Sequence, residues 1–478
     1  MALIPVRRIG VALATAVVLI RGASAQVDRY ELGLRLRAFE RALDAEKAPE
    51  RRRAAMREME AAVQAFFSMD PRKVATSIDR AAIALAGVEP AADERFARSL
   101  QLVFSARLVD PDRAMLPFEL SSAYRLADVE APDGVRLVIT IDGAEALTVP
   151  GATESLPCRL EMPILGLPPG DHRVTWKLMR GERVLIEREA ALSIAKDLDA
   201  RLQRLAGLEP AETGDDASID TATLAFLPKL LKKVTKRGEE TVLPSARLLA
   251  DADALAAAVA AKQPFYGPER TGQHWLAVPV GRGAAIVRIQ VPVVPAGEKR
   301  PIVLALHGAG GSENLFFDGY GDGLVAKLAA ERGWFVVAPR SGSIGTGELP
   351  KLVDALAARW SIDPQRVVIV GHSMGAMQTV AAACASPKSY RAVAALGGGG
   401  AVRSSDALQA LPFFVGVGSR DFAREGAKAL DERLRELGVQ STFLELPDVE
   451  HLSIVQLALP AVFAFFDGAL APKSAATK

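Results

Sequence analysis

The chain has 478 residues, half of them apolar and about a quarter charged, with a formal net charge of +1. That length exceeds one ordinary domain, and the composition supports sizeable cores. So balanced a charge leaves no electrostatic footprint for nucleic acid or for an anionic membrane surface.

At the N-terminus, Arg7 and Arg8 precede an apolar run from Ile9 to Ile20, and Ala23-Ser24-Ala25 offers a small-residue cleavage site. The run is shorter than the ~20 residues that span a bilayer. The expectation is a signal peptide over residues 1–25, cleaved during export to the periplasm or the medium of a bacterium, with no integral membrane segment after cleavage. Gln26 stands where lipoprotein processing would need cysteine.

Residues 26–113 read as a helical region. Leu32, Leu34, Leu36, Phe39 and Leu43 form one apolar stripe; Met56, Met59, Val63, Phe66 and Phe67 form another that ends before Asp70-Pro71. Stripes at this spacing pack helices on one another as a small bundle, with partner binding as the alternative. The period changes near Ala114. Val135–Ile141 alternates before the turn Asp142-Gly143, and Val174–Leu178 and Arg183–Ile186 follow further turns. Short strands at this interval predict a β-sandwich of immunoglobulin-like type over 114–195. Helical pattern returns over 196–263 and reads as a linker. Its basic run from Lys229 to Arg237 has apolar residues at helical spacing, which is the mark of a solvated helix face.

From residue 264 to 470 the pattern is of α/β class. Apolar runs at 287–291, 302–306, 334–338, 367–370, 392–396 and 413–417 alternate with Ala-rich helical stretches. Continuous apolar strands between helices predict a mostly parallel sheet buried on both faces. Cys158 and Cys384 fall in different units and read as buried free thiols. No Cys/His cluster has zinc-ligand spacing.

Gly371-His372-Ser373-Met374-Gly375 follows the apolar run 367–370 and precedes an Ala-rich helix. Glycines at both ends permit a sharp strand-to-helix turn that lifts a serine hydroxyl above the sheet. Ser373 is the expected nucleophile. An oxyanion needs at least two aimed donors; the N–H of Met374 is one, and the loop His307-Gly308-Ala309-Gly310-Gly311 after run 302–306 supplies another from Ala309 or Gly310. His307 shapes that loop in this reading. Asp421, just past run 413–417, is the expected acid, ahead of Asp406 and Asp448. His451 is the expected base, since of the five histidines only it follows both Ser373 and Asp421. The mechanism is acyl transfer through Ser373, and it needs no cofactor and no metal.

These motifs resemble the α/β-hydrolase superfamily, and within it dienelactone-hydrolase-like, polyhydroxybutyrate-depolymerase-like and prolyl-oligopeptidase-like catalytic domains. The resemblance covers about the last 215 residues. It implies a sheet of about eight strands and the order Ser373, Asp421, His451, with carboxylic ester hydrolysis as the default activity. The expected partner is a small-molecule or polymeric ester. Two other readings stand beside it. One is a serine peptidase, disfavoured because a seven-bladed propeller needs roughly 300 residues. The other is a non-catalytic binding protein on a hydrolase scaffold.

Overall fold

A computed structural model of the chain describes residues 27–208, 218–235, 241–403 and 406–471. The expected signal peptide lies outside the described residues. Helix α1 (Arg29–Ala45) starts at Asp28, whose carboxylate accepts from the N–H of Tyr30, and α2 (Pro49–Phe67) starts on a proline. Helix α3 (Pro71–Ala86) has both devices, with Asp70 accepting from Lys73 N–H, and ends on Gly87 at φ 68°. A proline in the first turn gives up no hydrogen bond, and a left-handed C-terminal residue favours glycine. The three helices share a core of Phe39, Leu43, Met56, Met59, Ile78 and Leu85. They form a three-helix bundle, followed by the short α4 (Ala92–Arg98).

The β-sandwich begins earlier than residue 114. Strands β1 (Leu100–Phe104) and β2 (Leu108–Val109) precede β3 (Met115–Ser122), β4 (Val135–Ile141), β5 (Ala144–Pro150), β6 (Cys158–Pro163), β7 (Gly170–Arg180) and β8 (Arg183–Ile194). One sheet has the order β1-β3-β6 and the other β2-β8-β7-β4-β5. They face each other across Phe104, Phe118, Leu160, Ile139, Trp176 and Leu192. Strand β1 hid from a period-2 reading because all five of its residues are buried, so Leu100–Phe104 does not alternate. The Asp142-Gly143 turn joins β4 to β5 with both residues at positive φ, 49° and 85°. That is the geometry that suits strand twist in a two-residue hairpin. Cys158 is buried on β6, whereas Cys384 is only half-buried; both are free thiols.

The segment read as a linker is a packed layer. Helices α5 (Leu198–Ala206), α6 (Ile219–Thr235) and α7 (Ser245–Ala260) put Leu205, Leu227, Leu231 and Leu249 into the same core as the C-terminal sheet. Lys229, Lys232 and Lys233 face solvent on α6, while Arg237 lies outside the described residues.

That sheet has eight strands: β9 (Gly272–Val280), β10 (Gly283–Val291), β11 (Arg300–Leu306), β12 (Phe335–Pro339), β13 (Ile362–His372), β14 (Ala392–Leu396), β15 (Phe413–Gly418) and β16 (Ser441–Leu446). The order is β16-β15-β14-β13-β11-β12-β10-β9. All neighbours from β16 to β12 run parallel, and β10 is antiparallel to both β12 and β9. Strand β9, which carries Pro279 at the sheet edge, has no counterpart among the expected strands; proline in a strand belongs at an edge. Helices α8 (Leu315–Asp318), α9 (Tyr320–Ala330), α10 (Leu349–Ala357), α11 (Met374–Ala385), α12 (Asp406–Gln409), α13 (Arg424–Glu436) and α14 (Ser453–Leu470) complete the unit. The α14 residues Ile454, Leu459, Val462 and Phe466 pack on one face of the sheet, against Val303, Val336 and Val370.

A buried ionic cluster ties the bundle to the sandwich. Arg35 of α1 pairs with Asp79 of α3 and with Glu31 at 3.0 Å, and donates to the carbonyls of Arg98 and Leu100. Arg188 of β8 reaches Glu31 at 2.8 Å and Asp79 at 3.4 Å, and the Tyr124 hydroxyl donates to Asp79 at 2.7 Å. Removing one partner of such a group leaves buried charge uncompensated, at a cost of about 3–5 kcal/mol. Arg35→Met therefore lowers the urea midpoint of unfolding of the N-terminal half; an unchanged midpoint refutes the assignment of the cluster as its fastening.

Candidate active site

The site is built where β13 runs into α11. Ser373 sits between them at φ 57° and ψ −117°, a conformation that a residue with a side chain holds only when its surroundings impose it. The surroundings do so by close approach. A Cβ on Gly375 would stand 2.0 Å from the carbonyl oxygen of Leu306, and one on Gly371 would stand 2.2 Å from the carbonyl oxygen of Gly375. The amide of Met374 is the first of α11, so it points out of the helix N-terminus beside the serine.

Two loops converge on this turn. After β16 the chain reaches Glu450, whose carboxylate accepts from the N–H groups of Leu452 and Ser453, both at 2.6 Å. This fixes the first turn toward α14 and with it His451. Past β15, Asp421 accepts from His451 Nδ1 at 2.8 Å and from Ala423 N–H at 2.8 Å. A carboxylate can only accept, so Nδ1 carries the proton and Nε2 presents its lone pair. Nε2 is buried and has no hydrogen-bond partner among the described residues. Ser373, His451 and the loop from Gly308 to Gly311 line one cavity. The rival carboxylates stand elsewhere: Asp448 is on the surface, paired with Arg53 at 2.8 Å, and Asp406 is exposed on α12.

The other expected site residues fall as follows. Ala309 and Gly310 line the cavity, and Gly310 has φ 76°. His307 donates from Nδ1 to the Gly308 carbonyl at 2.8 Å and accepts at Nε2 from Ser341 N–H at 3.0 Å. It holds the loop, as the sequence suggested. His172 and His274 are hydrogen-bonded in the sandwich and at β9. Among the described residues no group of three or more His, Cys, Asp or Glu could hold a metal ion.

A relay that sequence reasoning missed connects these parts. His372 Nε2 donates to the carbonyl of His451 at 2.8 Å, so its Nδ1 must accept, and the donor is the Tyr320 hydroxyl at 2.6 Å. The Tyr320 oxygen in turn accepts from Gly308 N–H at 3.3 Å. Burial, and then the neighbouring His451, hold the His372 pKa well below its ordinary value, which keeps it in the neutral form the relay needs. Tyr320 opens a run of four left-handed residues, Tyr320 to Asp322 and Gly323 included. The glycine density of Gly319-Tyr-Gly-Asp-Gly323 was the available signal. The Glu40 carboxylate of α1 accepts from Asp322 N–H at 3.1 Å, and Gln456 of α14 donates to the Glu40 carbonyl at 3.0 Å.

Residues 302–476 match the model of the Alpha/beta hydrolase family. The C-terminal region of this chain has the α/β-hydrolase fold. Among solved structures, an S-formylglutathione hydrolase from Agrobacterium tumefaciens is similar at 16% identity over 42% of this chain and 94% of its own, with a TM-score of 0.34. A feruloyl esterase module from Clostridium thermocellum is similar at 15% identity over 43% and 90%, also with a TM-score of 0.34. The carboxylesterase EstE1, cloned from a metagenomic library, is similar at 16% identity over 42% and 90%, with the same score. No curated protein matches the chain.

Burial raises Glu40 from the ordinary carboxylate range to about 7. A folded-state pKa raised above the unfolded one gives stability that is full below the unfolded value, 4.5, and is lost as pH rises through about 7. The thermal midpoint of the hydrolase unit therefore declines between about pH 5 and pH 8, and Glu40→Gln flattens that decline. A variant with the wild-type slope would show that Glu40 does not cause it.

Proposed function

We propose that the chain is a serine hydrolase that cleaves a carboxylic ester through Ser373, His451 and Asp421. The observation that carries this reading is His451 Nε2: a buried base nitrogen with no partner among the described residues, in one cavity with a serine held at a strained turn. No group among the described residues uses that lone pair, and a general base does.

His451 Nε2 takes the Ser373 proton as Oγ attacks the acyl carbon, and the C–O bond to the alcohol breaks as the same proton passes to the leaving oxygen. Asp421 keeps the Nδ1 tautomer in place and stabilises the imidazolium. The developing oxyanion lies against the N–H groups of Met374 and of the Ala309-Gly310 loop. Water then repeats the sequence on the acyl-enzyme and releases the acid. Tyr320 and His372 position this machinery: their relay holds Gly308 on one side and the His451 backbone on the other, without touching the reacting atoms. The leader at residues 1–25 supports export of the enzyme.

Ser373→Ala lowers ester turnover by roughly 10⁴-fold or more and abolishes labelling by a fluorophosphonate. Asp421→Asn, which leaves the tautomer unsupported, costs on the order of 10⁴ in kcat. Folded wild-type protein that resists the fluorophosphonate would sink the proposal. A panel of p-nitrophenyl esters and p-nitroanilides divides esterase from peptidase. Tyr320→Phe leaves two buried groups without a partner and destabilises the unit by about 1–3 kcal/mol, readable in its thermal midpoint.

A further inference from the structure

The cavity at Ser373 does not stop at the hydrolase domain. Its volume is about 220 Å³, and its far wall belongs to the N-terminal bundle: Leu32 and Leu36 of α1, Met59, Val63 and Phe66 of α2, and Ile78 of α3. Met59 and Ile78 are also core residues of that bundle, so the space runs from the serine into the seam between the three helices. The helices are anchored around the site at separate points. Glu60 pairs with Arg420, next to Asp421; Arg53 pairs with Asp448; Arg41 pairs with Asp322; and Arg29 donates to the carbonyl of Gly310. The Phe66 ring lies so close to Gly310 that a Cβ there would come within 2.4 Å of it.

We propose that the N-terminal helical bundle is the acyl-binding half of the active site, and that the substrate carries a bulky apolar acyl group that lies among its helices. The inference rests on the ester-hydrolase reading and names its substrate class. An apolar cavity of about 150 Å³ already holds a benzene molecule, so this one takes an acyl group well beyond acetyl, either a medium aliphatic chain or an aryl group. The acyl side is fixed by where the proton goes. His451 must protonate the leaving oxygen, and the ring tilted against His451 at 4.2 Å between centroids is Phe422, which is 66% exposed and stands outside the cavity lining. The alcohol departs past that open rim. The cavity is lined instead by the Gly308–Gly311 loop, Leu315 and the bundle residues.

The test compares p-nitrophenyl acetate, octanoate and cinnamate, with octyl acetate as the alcohol-side control, on wild type, Leu36→Trp and Val63→Trp. Wild type prefers octanoate or cinnamate to acetate by about 10-fold or more in kcat/KM. The tryptophans fill the cavity and erase that preference, lowering kcat/KM on octanoate or cinnamate by about 10-fold or more beyond any change on acetate; octanoate and cinnamate tell chain from ring. Equal loss on acetate and octanoate, or a preference confined to octyl acetate, overturns the proposal. Val63 is half-exposed, so its variant guards against misfolding of the Leu36 variant. Calorimetric titration of methyl octanoate into Ser373→Ala reads the pocket without turnover. Binding there that Val63→Trp abolishes upholds the pocket even if no ester is cleaved, and absence of binding overturns it even if esters are.

Discussion

The crossing of β11, β13 and α11 at Ser373 is the constraint on which the site depends. The backbone of Leu306 runs so close to Gly375, and that of Gly375 so close to Gly371, that no side chain fits between them. Three segments distant in sequence are thereby locked at one point, and the serine is forced to φ 57°. The strain held there is a cost of order 1–3 kcal/mol, offset by the buried parallel strands on both sides. The site's groups are referred to that point: the Gly308–Gly311 loop leaves β11, the helix amides begin α11, and the Asp421 carboxylate and His451 imidazole arrive past the ends of β15 and β16.

Polar groups beyond Ser373 and Asp421 hold this geometry. The Gly308–Tyr320–His372–His451 relay pairs the Gly308 amide, the Tyr320 hydroxyl, both His372 ring nitrogens and the His451 carbonyl, and so ties the Gly308–Gly311 loop, the turn after β13 and the histidine loop to one another. Its direction of donation follows from the single fact that a carbonyl oxygen cannot donate. The left-handed run at 320–323 is in turn held by Glu40 from the N-terminal bundle. The helices are therefore part of the catalytic unit's construction. The buried Arg35 and Arg188 cluster then connects them to the sandwich.

Much of this was legible in the sequence because it is local. Gly371-His-Ser-Met-Gly375 announces its turn within five residues, since both glycines are needed by one bend. The strands β13, β14 and β15 announce themselves as apolar runs because both faces of the sheet are covered. Asp421 could be expected because it lies just past the apolar run 413–417, and His451 because of the five histidines only it follows both Ser373 and Asp421. Strand β9 was obscured by Pro279, and β1 by burial of every residue. The helices from 198 to 260 looked like a linker because amphipathic pattern states that a face is buried and not against what.

By itself, then, the sequence determined the sheet, the turn and the identity of the groups around Ser373, all consequences of short-range pattern and strand-end position. Only the tertiary structure decided what stands opposite the serine. The apolar stripe Met59, Val63 and Phe66 is the same string of letters whether it lines a bundle core, a dimer interface or a substrate cavity. Its meaning depends on Glu60 meeting Arg420 and Glu40 meeting Asp322, 360 and 282 residues apart. Such pairings leave no periodic trace in a chain, because each is made once between surfaces that the fold has to bring together first.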